Sequence, residues 1–185
     1  MKKYLFFVCC LLLATGSMAE KPALGFGVNA GLIYPIIQDD QDNGSMFGLK
    51  AMYSLMNMVT VEPNITFVKY GEPSTSDPEL AGLYDGFEGS KVTSYGIDGI
   101  LGGRFGARGI SPYGIFGFGF YNMKREMTDQ DVTDFGWTGG LGIEIGMSTS
   151  FAVDVRGKVN VVPSDGGGSK KSLSATAGVN FYLGK

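Results

Sequence analysis

Seven charged residues fall where alternation along an extended chain turns them to a common side: Lys50, Glu62, Asp98, Glu144, Asp154, Arg156 and Lys158. Successive side chains of a strand point to opposite faces, so Asp154, Arg156 and Lys158, at every second position of "FAVDVRGKVNV", share one face. Lys50 and Glu62 flank a short "NM" connection, close enough in plausible registers to pair directly or diagonally, and Glu144 is related in the same way to the trio around "STS". Buried charges are tolerated only when paired. Three bases against four acids make a nearly neutral set, which fits either a network that holds an interior together or a gate in a narrow ion path.

Other chemistry finds less support. The 185 residues include no histidine, and serine-based hydrolysis or acyl transfer usually sets a histidine base beside its nucleophile. "DDQDNG" offers Asp40, Asp42 and Gly44, but an EF-hand loop needs a third oxygen ligand before its glycine and a glutamate beyond it. "DGGGSKKS" departs from a phosphate-binding loop because Ser169 stands between Gly168 and Lys170 and no helix follows. The expectation is no catalytic residue, no cofactor and no metal site.

The elements that must position the seven charges are strands. No stretch after Glu20 sustains a helical period, whereas apolar alternation recurs at regular spacing. Eight strands are predicted: "LGFGVNAGLIY", "MFGLKAMYSLM", "VTVEPNITFVKY", "VTSYGIDGILGG", "PYGIFGFGFYN", "GWTGGLGIEIG", "FAVDVRGKVNV" and the terminal "SLSATAGVNFYLGK". The connections after strands one, three, five and seven are long and polar, and those after two, four and six are shorter. That alternation fits an up-and-down barrel with one rim outside and the other in the periplasm.

Alternation alone does not separate a membrane barrel from a soluble, lipocalin-like carrier. The polar face separates them. It consists largely of Gly, Ser, Thr and Asn with the seven charges among them, which suits a narrow filled lumen better than a solvated surface. The opposite face is almost free of charge, and a lysine or arginine at the bilayer midplane would cost roughly 2 to 4 kcal/mol. Tyr34, Tyr53, Phe67, Phe120, Tyr121, Phe135, Trp137 and Phe151 lie near strand ends, where aromatic girdles are expected.

Residues 1–19 read as a secretory signal peptide: Lys2 and Lys3, an apolar run from Tyr4 to Ala14, then Ser17 and Ala19 before a cleavage site ahead of Glu20. Cys9 and Cys10 lie within it, so residues 20–185, the expected barrel domain, contain no thiol. Of 15 basic and 18 acidic residues, Lys2 and Lys3 leave with the leader, and 13 against 18 gives a mature net charge of −5. A nucleic-acid partner, which needs a basic patch, is not expected.

With these strands in place, the chain resembles the small eight-stranded outer-membrane barrels of Gram-negative bacteria, the OmpA/OmpX-like class called the outer membrane protein beta-barrel domain. The resemblance runs from about Leu24 to Leu183, and "GVNFYLG" is its most specific part. Gly178, Val179, Asn180, Phe181 and Tyr182 match the family's barrel-closing strand, while Leu183 stands where a terminal phenylalanine is usual. The resemblance implies an all-β, antiparallel, transmembrane barrel in the cell outer membrane. It also implies lipid and lipopolysaccharide as surroundings, the barrel-assembly machinery as a partner, and an extracellular ligand met through loops. The function expected is a non-enzymatic scaffold for adhesion or envelope integrity, with a narrow passive channel or a soluble periplasmic carrier as alternatives. The segment Gly71 to Lys91, with Glu72, Asp77, Glu79, Asp85 and Glu88 beside Tyr84 and Phe87, is the expected contact surface.

Overall fold

The computed structural model describes residues 24–36, 42–56, 58–71, 89–102, 108–125, 130–164 and 168–183. Eight strands run in chain order: β1 Leu24–Pro35, β2 Gly44–Met56, β3 Val59–Lys69, β4 Lys91–Gly102, β5 Gly109–Arg125, β6 Gln130–Gly146, β7 Phe151–Ser164 and β8 Gly168–Leu183. Each pairs antiparallel with the next, and β8 returns to β1, closing the ring. The closing register runs from Leu24 opposite Leu183 to Pro35 opposite Ser172, so the terminal strand is paired along both sides. Closure satisfies the ladder hydrogen bonds of every strand, which lipid demands because it offers the backbone no partner.

The face assignment follows from burial. Outward positions carry Leu24, Phe26, Leu49, Phe67, Ile97, Phe118 and Val155, all exposed, with Leu141 74% accessible. Inward positions carry the polar residues, among them Asp154 at 0% and Glu62 at 1%. An apolar face turned outward is the arrangement of a membrane barrel and the reverse of a soluble ligand carrier.

Strands β5 to β8 extend past the apolar alternation. β5 and β6 each contain 17 residues and reach the pair Arg125 and Gln130, and β7 and β8 reach Ser164 and Gly168. Two of the connections expected to be long are therefore hairpin arms with intervening segments 126–129 and 165–167. The physical reason is that ladder hydrogen bonds continue above the membrane, where no apolar face is required and the pattern used to find the strands disappears. The two segments lie outside the described residues, as do the expected leader, residues 1–19, Asp40 and residues 72–88.

The expected aromatic girdles are partly corrected. Tyr121 points inward: its hydroxyl donates to Asn160 Oδ1 at 3.3 Å, and its ring packs on a buried cluster of Ile33, Met46, Val68 and Val92. Its neighbour Phe120 points out, as alternation requires. Phe120, Phe135 and Trp137 join Phe116 and Phe118 in a ladder along the β5–β6 hairpin, with Phe120–Phe135 and Phe135–Trp137 centroids 5.6 and 5.2 Å apart. Cross-strand aromatic pairing adds a ridge along the strand direction, while Tyr53 and Phe67 stay exposed near strand ends as expected.

Candidate functional site

The register of adjacent strands opposes the lumenal acids to one another. Glu62 on β3 faces Asp98 on β4, and Glu144 on β6 faces Asp154 on β7. Like charges placed directly opposite are destabilising, so neutralisation comes from across the lumen. Lys50 on β2 donates from Nζ to Asp154 Oδ1 at 3.0 Å. Arg156 on β7 reaches β3, with Nη1 to Glu62 Oε1 at 2.5 Å and Nη2 to Oε2 at 3.2 Å, while its Nε donates to Asp154 Oδ2 at 2.8 Å. Lys158 Nζ donates to Asp98 Oδ2 on β4 at 3.0 Å. Three successive inward residues of β7 thus tie to β2, β3 and β4 in turn, and none of those strands is β7's neighbour.

In register Lys50 faces Asn64, which makes Glu62 its diagonal neighbour across the β2–β3 hairpin, one of the two pairings expected, and its Nζ also donates across the lumen to Asp154. On the β6–β7 hairpin, Arg156 and Lys158 reach Glu62 and Asp98 on the far wall, while Glu144 accepts from Asn180 and Tyr182. An eight-stranded ring is narrow enough for long side chains to cross it.

Two tyrosines outside the predicted charge cluster complete the network. Tyr113 on β5 donates its hydroxyl to Asp154 Oδ2 at 2.7 Å, and the Arg156 guanidinium lies 5.6 Å from its ring centroid. Between them in register stands Gly142, opposite Tyr113 on one side and Arg156 on the other. A Cβ there would collide with the Tyr113 ring, so the absence of a side chain is what lets the phenol cross β6. Tyr182 donates to Glu144 Oε2, which also accepts from Asn180 Nδ2 at 2.8 Å. The signal for Tyr182 was available in parity, since it shares its strand's inward line with Ser174, Thr176, Gly178 and Asn180, and Tyr113 shares its line with Gly117 and Gly119.

Buried apolar clusters lie toward both ends of the lumen. Near the outer rim sit Ile33, Met46, Val68 and Val92 with Tyr70, Tyr121 and Met123 packed on them. Near the periplasmic rim sit two clusters, Met52 with Ala152 and Tyr182, and Ile100 with Tyr113 and Ile115. A second polar chain links Thr138 to Asn160 at 3.0 Å, and Lys170 near the mouth lies 3.9 Å from Asp134. Among the described residues no group of three or more acidic, histidine or cysteine side chains is placed to hold a metal ion.

The closing strand shows how the ring is sealed. Gly178 faces Asn29 on β1 and Asp154 on β7. A Cβ at Gly178 would lie 2.5 Å from the Val28 carbonyl and 2.9 Å from Asp154 Oδ1. Val179 and Phe181 point outward, Asn180 and Tyr182 inward, and Phe181 meets Phe151 at 5.3 Å between centroids. Leu183 is exposed on the outer surface opposite Leu24.

The fold is shared with solved outer-membrane barrels. Neisserial surface protein A superposes with a TM-score of 0.65 at 14% identity, covering 89% of this chain and 100% of that one. Ail, the attachment invasion locus protein of Yersinia pestis solved with the heparin analogue sucrose octasulfate, gives 0.57 at 15% identity over 89% and 100%. The N-terminal barrel domain of Pseudomonas aeruginosa OprF gives 0.56 at 15% identity over 88% and 100%. No curated protein matches the chain in sequence. The family model for the outer membrane protein beta-barrel domain matches residues 5–183, so a closed eight-stranded ring with an apolar exterior and a paired polar lumen has its family: the chain belongs to the outer membrane protein beta-barrel domain family, and its place is the outer membrane.

Proposed function

We propose that this protein is a non-enzymatic scaffold that presents its outer connections to an extracellular ligand, with a lumen that acts as a strut and not as a conduit. The observation that carries this reading is the transverse network. Lys50, Glu62, Asp98, Asp154, Arg156 and Lys158 span the lumen between buried apolar clusters, so their polar capacity is spent on one another. A rigid frame of this kind suits binding by the segments it holds. Attachment is also what the name of Ail describes, and that barrel holds a heparin analogue. The longest connection, between Lys69 and Lys91, carries five acids with Tyr84 and Phe87 and is the assigned contact surface.

The test pairs two measurements on the full protein. In planar bilayers the wild type is expected to give no single-channel steps; steps that change size in Arg156→Gln would instead establish a channel. On whole cells, replacing residues 73–87 by a glycine-serine linker is expected to abolish retention on matrix-glycoprotein surfaces while the heat-induced gel shift of the barrel persists. Retention unchanged by that replacement would sink the presentation reading.

A further inference from the structure

The ladder that closes the ring has one exception inside it. Between β2 and β3 the pairing passes from Lys50 with Asn64 directly to Tyr53 with Val61, so Ala51 and Pro63, and Met52 and Glu62, are not paired although both couples lie in the same register. A bulge follows between Ser54 and Met56. Among the described residues the other seven seams run without a gap or a shift. The cause of the gap is Pro63. It has no N–H, so the Ala51 carbonyl loses its ladder donor, and the neighbouring couple loses the bond that would have framed it. Proline is ordinarily confined to edge strands and bulges, and in a lipid-facing wall no water stands in for the missing donor.

The lumenal network meets this gap from the inside. Lys50, immediately before Ala51, donates from Nζ to Asp154 Oδ1 at 3.0 Å, and Glu62, immediately before Pro63, accepts from Arg156 Nη1 at 2.5 Å and Nη2 at 3.2 Å. Arg156 Nε donates to Asp154 Oδ2 at 2.8 Å. Lys50, Asp154, Arg156 and Glu62, all buried, therefore form one unbroken chain that leaves β2, crosses to β7 and returns to β3. Nearer the turn, Ser54 Oγ and Thr60 Oγ1 share a hydrogen bond of 3.1 Å directly between the two strands. Both strands keep their other neighbours through the gap: Ala51 and Met52 stay paired with Phe26 and Gly25, and Glu62 and Pro63 with Asp98 and Ile97.

We propose that the periplasmic half of the β2–β3 seam, from Ala51 and Pro63 down to Met56 and Val59, is where the closed ring opens locally, and that Lys50, Asp154, Arg156 and Glu62 are the clasp that keeps it shut. The opening is bounded toward the outer rim by the continuous pairing that runs from Ser45 with Lys69 to Lys50 with Asn64, and toward the periplasm by the turn that joins the two strands. Ladder hydrogen bonds hold every other seam; here side chains anchored on the far wall take over at the residues beside the missing bond. Local opening follows the least supported backbone pairing, and a bulge next to a prolyl gap is such a place. The device is independent of what the outer connections bind.

Hydrogen–deuterium exchange of the full protein in phosphatidylcholine nanodiscs, read by mass spectrometry, tests this, because amides in the lipid-facing wall exchange when a seam opens to water. In the wild type, residues 51–56 and 59–63 are expected to exchange faster than residues 45–50. R156Q should speed exchange in the first two stretches by at least about tenfold and leave residues 116–124 of β5 unchanged, and K50Q, which cuts one end of the clasp, should give a smaller rise in the same stretches. P63A restores the donor, so P63A/R156Q should return the seam toward the wild-type rate. The heat-induced gel shift should show each variant as a closed barrel. A rise in R156Q spread equally over all strands would overturn the clasp. P63A on its own should slow exchange of residues 51–56 relative to wild type, and an unchanged rate would overturn the seam.

Discussion

Arg156 holds the largest number of consequences of any single residue. Its guanidinium is shared by Glu62 and Asp154, both buried, so removing it leaves two carboxylates facing each other's neighbourhood without their common base. Breaking a buried pair from one side typically costs about 3 to 5 kcal/mol, more than the intact pair contributes relative to an apolar replacement. Arg156→Met should therefore lower stability by about that amount in urea unfolding from lipid vesicles, and adding Glu62→Gln should recover part of the loss. Trp137, the one tryptophan of the chain, sits on the lipid-facing ridge and reports the transition by fluorescence. Gly142→Ala should act on the same network indirectly, by pushing the Tyr113 ring off its line to Asp154. Tyr113→Phe, which removes only the hydroxyl, should cost about 1 to 2 kcal/mol and serves as its reference.

Strands succeed or fail here by how closely they approach. Where β1 meets β8, a Cβ on inward-facing Gly31 would strike the Ala175 carbonyl and lie 2.7 Å from the Thr176 Cα. Both obstacles are backbone and have no rotamer to change, so Gly31→Val should prevent ring closure; the expected readout is loss of the heat-induced gel shift. Outward-facing Gly99 is the contrast, since its Cβ would meet only the Phe116 carbonyl at 3.4 Å, an ordinary contact. Gly99→Ala should leave the shift unchanged. Glycine on the inner face is thus a matter of room, and the two variants separate room from strand propensity.

At the scale of the whole molecule the governing variable is the solvent on each side of one sheet. Leu141 lies on the outward face of β6 and is the most accessible large apolar side chain among the described residues. Leu141→Arg should cost roughly 2 to 4 kcal/mol in vesicle unfolding, whereas an arginine at Ser148, in the periplasmic turn, should be close to neutral. The same asymmetry explains the interior. Ion pairs are tolerated there because transverse bonds satisfy the charges.

The period-two pattern by itself determined the class, the number of strands, their order and which line of residues faces lipid, because alternation and connection length are local quantities written along the chain. It also assigned all seven lumenal charges to one face. The partners of those charges were not legible. Lys50 finds Asp154, Arg156 finds Glu62 and Lys158 finds Asp98 only after eight strands close, since each bond joins walls separated by 60 residues or more in sequence. Strand ends above the membrane were equally hidden, because hydrogen-bonded ladders in water need no apolar side. Closure decided the pairing: it fixes a registry in which Glu62 opposes Asp98 and Glu144 opposes Asp154, and bases from across the lumen then reach Glu62, Asp98 and Asp154 while Tyr182 and Asn180 hold Glu144.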